Sequence, residues 1–164
     1  MDKNFEEEIK NLEMIKLNEK AENAVAVAVG ATATTGAVPI PFADAPLLIA
    51  EQVALMTKIC SIYGIKIKED GLKMLATTVL SAGGATIIGK TVVSNLFKVF
   101  PGVGTIAGGA ISAGTAGIVT FAMGKAFIEV CKLVKSGKLN EEDITSREGK
   151  TIFKNQFKNY LSKK

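Results

Sequence analysis

Within GGATIIGKT, the residues Gly84, Gly89, Lys90 and Thr91 stand at the G-x-x-x-x-G-K-[ST] spacing of a phosphate-binding loop. In a working loop of this kind, backbone amides cradle the phosphates of ATP or GTP, the lysine reaches their outer oxygens, and the hydroxyl residue meets Mg²⁺. The loop must join a buried parallel strand to a helix, and a later carboxylate must hold the metal. The only strand available is MLATTVL, and no acid occurs between Asp70 and Glu129. The ~70 residues beyond Thr91 cannot build several βα units of ~30 residues each. The motif is therefore read as a chance match, with its glycines as packing positions and Lys90 as the polar end of a small-residue helix. A P-loop nucleotide binder is the enzymatic alternative.

Other chemistry is sparse. Cys60 and Cys131 lie far apart in apolar helical patterns, and the chain has no histidine to complete a zinc site. They read as reduced core thiols. We expect no catalytic residue, no cofactor and no metal. The opening MDKNFEEEIK lacks the basic start and apolar run of a signal peptide, so an intracellular location is expected.

The elements that hold these residues read as helices. Apolar residues make up 48% of the 164 residues, only 6% are aromatic, and no tryptophan is present, so the core must come from small side chains and close backbones. The expected fold is all-α, a compact bundle of small-residue-rich helices with amphipathic helices at both ends. We divide it at 1–22 (amphipathic N-terminal helix), 23–136 (helical core) and 137–164 (polar linker and basic amphipathic C-terminal helix).

In the first part, Phe5, Ile9, Leu12 and Ile15 recur at helical steps and form a stripe that packs on the domain or on a partner helix. The stretch Ala24 to Val29 alternates like a strand yet is alanine-rich, so periodicity leaves it open. Pro39 and Pro41 break the chain, Asp44 can cap the next helix, and that helix stops near Gly64. Lys66 to Gly71 reads as a charged turn, followed by helical sequence as far as Phe100, and Pro101 with its glycines ends that stretch.

Pro101 to Gly124 carries no charge and is long enough to span a bilayer. Gly104, Gly108, Ser112, Ala116, Thr120 and Gly124 recur every fourth residue, a ridge of small side chains that lets helices nearly touch. Lipid-facing surfaces want more Leu, Ile and Phe, so a buried bundle helix is preferred over a membrane-inserting or pore-type protein.

Charge is uneven. Met1 to Glu22 holds seven acids and four bases, whereas Lys132 to Lys164 holds nine bases and four acids. The last helix gathers Phe153, Phe157 and Tyr160 among Lys150, Lys154 and Lys158, which suits an anionic membrane surface, a partner, or simple docking on the bundle. No aromatic platform accompanies the lysines, so nucleic acid is not an expected partner.

The stretches AVPIPFADAPLLIAEQVALMTKICSIYGI, LSAGGATIIGKTVV and FPGVGTIAGGAISAGTAGIVTFAMGKAFIEV carry a resemblance over roughly Ala21 to Lys135. With PIPFAD, Gln52, Tyr63-Gly64 and the FPGVG turn as its most specific parts, the chain resembles the YcjF-like family of uncharacterised bacterial helical domains. The resemblance implies a domain that often follows a GTPase domain in one chain and is commonly described as membrane-associated, with a more distant likeness to the helical part of immunity-related GTPases. It also implies that GKT lies in a helical segment, and it brings no catalytic residue. The function expected is a non-enzymatic helical interaction module working with a GTPase or with itself, in the cytoplasm or at the cytoplasmic face of the inner membrane.

Overall fold

The computed structural model describes residues 2–35, 45–80 and 108–162, with side chains over 2–32, 48–80 and 116–162. Among these residues the chain forms five α-helices and one short 3-10 helix, with no strand. The fold is an all-α bundle.

Helix α1 runs without a break from Lys3 to Thr35. The Asp2 carbonyl accepts the first amides, from Phe5 at 2.9 Å and Glu6 at 3.3 Å, and the acids that follow suit the positive end of the helix dipole. The helix continues past Glu22 and through Ala24 to Val29. Alanine's helix preference and the burial of Ala21 and Val25 decide a segment whose alternation left two readings open.

Helix α2 (Ala45–Tyr63) carries Pro46 in its first turn, where a missing amide proton costs little. It stops where Gly64 takes φ +70, and the Ile65 amide donates back to the Cys60 carbonyl at 2.9 Å. Helix α3 (Glu69–Leu80) starts inside the expected charged turn, with Glu69 and Asp70 in its first turn. Helix α4 (Gly108–Lys135) ends by the same device as α2, with Gly137 at φ +72 and the Lys138 amide on the Leu133 carbonyl at 2.9 Å.

The stretch expected as a polar linker is instead held against the bundle. Leu139 and Ile144 are buried, a 3-10 turn forms over Glu141–Thr145, and Glu141 Oε1 accepts the Lys66 amide at 2.7 Å. Ser146 Oγ then accepts the amides of Glu148 and Gly149 and starts α5 (Arg147–Ser162).

Helix α4 lies at the centre, against α1, α2 and α5, while α3 bridges α2 and α5. Met56, Ile59, Leu72, Leu75, Met123, Phe127, Ile128, Phe153 and Phe157 fill the core. Phe127 and Phe153 meet edge to face, 5.9 Å between centroids.

Within the described part of α4, close helix approach is seen at Gly124, the last position of the small-residue ridge. A Cβ added to Gly124 would stand 2.5 Å from Val25 Cγ2 and 3.2 Å from Leu55 Cδ2, and Gly117 faces Val29. Thr120 is buried and Ala116 half-buried. Gly104, together with Pro39, Pro41, Asp44, Pro101, Gly84, Gly89, Lys90 and Thr91, lies outside the described residues. Gly108 opens α4, but its contacts and those of Ser112 lie outside the described side chains. No helix among the described residues is long and apolar enough to cross a membrane.

Candidate functional site

Helix α1 carries two apolar stripes on opposite sides. At about 100° per residue, the nine steps from Phe5 to Met14 end on the opposite face. Met14 and Leu17 are half-buried, and Ala21 and Val25 fully buried, so this second stripe packs on the bundle. Phe5, Ile9, Leu12 and Ile15 stay 54%, 46%, 53% and 63% exposed. This stripe, expected to pack on the domain or on a partner helix, does not pack on the domain and faces solvent, because helical spacing marks an apolar face without choosing which face meets a neighbour.

Beside that stripe runs an open groove of about 540 Å³ between α1 and α2. Ala24, Val27, Leu55 and Ile62 make its apolar surface, and Lys20 and Lys58 stand at its rim. Val27 is 74% exposed. Sequence reasoning missed this groove, since its two walls come from helices paired only in the fold.

A polar cluster clamps α1, α4 and α5 together. Lys125 of α4 forms an ion pair with Glu22 of α1, and its Nζ lies 5.6 Å from the Tyr160 ring centroid on α5. Glu129 Oε1 accepts from the Tyr160 hydroxyl and from Lys132 Nζ, both at 3.1 Å. Phe121 meets Tyr160 edge to face at 6.5 Å. Burial, and then the nearby Glu129 carboxylate, push the Tyr160 phenol up to about 12. Tyr160 is thus a neutral donor that positions Glu129. Burial likewise pushes the Tyr63 phenol well above its ordinary value.

These two are the chain's only tyrosines, and no tryptophan obscures them. Because their folded pKa values exceed the unfolded value of about 10, the linked stability is full below pH ~10 and is lost as pH rises through the folded values. Tyrosinate absorbance should therefore stay flat through pH ~10 and rise together with loss of helical circular dichroism. An earlier rise with helicity intact would contradict the buried phenols.

The surface expected on the last helix divides. Phe153 and Phe157 are 1% and 2% exposed and belong to the core, so they form no membrane or partner surface. Tyr160 is half-buried against Glu129. Lys154 and Lys158 are exposed and Lys150 is half-buried. Helical periodicity put the phenylalanines on one side and the lysines on the other, and the bundle took the apolar side, worth about 1.5–3 kcal/mol for each buried ring. Lys150 and Lys154 join Arg147, Thr78 and Thr151 around a shallow depression of about 320 Å³. Both threonine hydroxyls donate back to their own helices, to the carbonyls of Met74 and Arg147 at 2.8 Å. The donors left to face an anion there are the cationic groups.

Cys60 and Cys131 are both buried and reduced. A hydrogen bond to Cys60, reinforced by burial, pushes the Cys131 thiol far above its ordinary value, so it behaves as a packed apolar group.

Residues 1–158 match a family described as "Domain of unknown function (DUF697)". No curated protein and no solved structure matches the chain. A match over nearly the whole of this helical bundle, from the exposed start of α1 to the core-docked α5, means that the chain belongs to the DUF697 family.

Proposed function

We propose that the chain is a non-enzymatic helical interaction module whose contact surface is the outer face of α1. The observation that carries this reading is the stripe Phe5, Ile9, Leu12 and Ile15, exposed on a helix already held to the bundle by its other face. Four large apolar side chains aligned on one face are more than the scattered surface residues of an ordinary monomer, and such patches mark association sites. The YcjF-like resemblance adds a GTPase as the partner, a second copy is the alternative, and the lysines of α5 suit a peripheral position at an anionic membrane surface.

The test is to cross-link the chain in its native host, with and without detergent, beside the variant Leu12→Glu. We expect one defined partner, a GTPase or a second copy, captured by the original chain and lost from the variant, with helical circular dichroism unchanged because Leu12 makes no core contact. Equal capture by both chains would refute the role of this face. Binding to anionic vesicles without any protein partner would transfer the role to lipid.

A further inference from the structure

Two unsatisfied features share one side of α1. The first is the arm from Asp2 to Ile15, with its apolar stripe and the acids Asp2, Glu6, Glu7 and Glu8. The second is the groove at Val27, Ala24, Leu55 and Ile62, rimmed by Lys20 and Lys58. At about 100° per residue, Phe5, Ile9, Leu12, Asn23 and Val27 fall on a common face of the helix. Neither rim lysine forms an ion pair among the described residues.

The arm cannot fill the groove of its own chain, because both belong to one unbroken helix. It can fill the groove of another. We propose that two copies of the chain pair through a two-fold axis across antiparallel α1 helices, the arm of each lying in the lysine-rimmed groove of the other. This inference rests on the outer face of α1 being the contact surface, and it names the partner.

Three observations support a second copy as occupant. Phe5 and Val27 lie equally far either side of Lys16, as do Ile9 and Asn23 and also Leu12 and Lys20, so an axis near Lys16 sets Phe5 against the groove's apolar end at Val27, and Ile9 and Leu12 against Asn23 and the aliphatic stem of Lys20. The lengths agree, since Phe5 to Leu12 and Lys20 to Ala28 each cover about 10–12 Å of helix. The charges also agree. Asp2 and Glu6 stand on the same flank of the stripe as Lys20, and a perpendicular two-fold keeps flank against flank, bringing the acids over the α2 side where Lys58 stands. At the axis Lys16 faces its own copy, with Glu19 of both chains within a turn to offset the like charges, while Glu13 pairs with Lys135 of its own chain. A two-fold forms the arm-in-groove contact twice, as isologous dimers do.

Sedimentation equilibrium of the full chain over a range of concentrations tests the pairing. The original chain should sediment as a dimer. Leu12→Glu should weaken dimerisation by about 30-fold or more, the loss of a buried apolar anchor, with unchanged circular dichroism. Lys58→Glu and Glu6→Lys should each weaken it by about tenfold, and the two together should restore it. A monomer at every concentration overturns the pairing, as does a dimer indifferent to Leu12→Glu or a charge exchange without rescue. A monomeric chain that still loses a different partner on Leu12→Glu defeats only the pairing and leaves the contact surface standing. A partner retained by Leu12→Glu defeats the contact surface itself.

Discussion

Gly124→Leu is expected to cost about 3 kcal/mol or more, lowering the thermal midpoint by about 6–12 °C for a chain of this size. The cause is the approach of three helices at one point. Even the first carbon of a side chain at Gly124 would stand 2.5 Å from Val25 Cγ2, and the rest would press on Leu55. Val25 is β-branched and 1% exposed, so it has neither spare rotamers nor space to retreat into. The remedy is specific. Gly124→Ala should recover part of its loss when combined with Val25→Ala, giving a favourable coupling in a double-mutant cycle. Additive losses, or a Gly124→Leu chain that melts like the original, would mean that α1 and α4 do not meet there.

The second large effect lies one turn earlier on α4. Gln52 is fully buried, and its Nε2 donates to Thr120 Oγ1 at 2.8 Å, while its Oε1 has no partner among the described residues. Replacing the amide by a carboxylate of the same shape asks the core to hold a charge. An unfolded glutamate ionises near pH 4.3, whereas a buried one stays neutral, so Gln52→Glu should lose about 3–4 kcal/mol at pH 7. The sign with pH follows from the raised folded pKa. The loss is absent below the unfolded value, near pH 4.3, and grows as pH rises above it. Gln52→Met removes the polar atoms altogether and should stay within about 1.5 kcal/mol of the original. Equal stability of the Glu and Met variants at pH 7 would show that Gln52 is wetter than its burial implies.

Local chemistry was readable from the sequence wherever it alone decides the structure. The end of α2 at Gly64 follows from one residue that tolerates positive φ, and the apolar face of α5 was legible in the spacing of Phe153 and Phe157, although the spacing left open whether the bundle, a partner or a membrane would take it. Readings failed or stayed open where a distant partner decides. The stripe at Phe5, Ile9, Leu12 and Ile15 and the stripe at Met14, Leu17, Ala21 and Val25 both have helical spacing, and only the position of α4 selects between them. Leu139 and Ile144 were hidden among polar neighbours, yet each fills a site offered by helices elsewhere in the chain. The clamp of Glu22, Lys125, Glu129 and Tyr160 had no local signature either, since its members come from three helices. Ser146 is the exception, because a capping serine before Glu148 was a local signal that marks the true start of α5.

The extensive contact of α1 with α4 also imposes a schedule on synthesis. Glu22 and its partner Lys125 are separated by 103 residues. At roughly 5–20 residues per second, the first helix waits about 5–20 s after leaving the ribosome before its ion pair can close. During that interval α2 is, among the described helices, the one neighbour of α1 that has already emerged, so the part of the inner side that α4 later takes stays uncovered, as does the outer side that the bundle never takes. Helix α1 thus leaves the ribosome well before the helix that covers most of its inner face, and the order of translation makes that face a site where mispairing must be resisted.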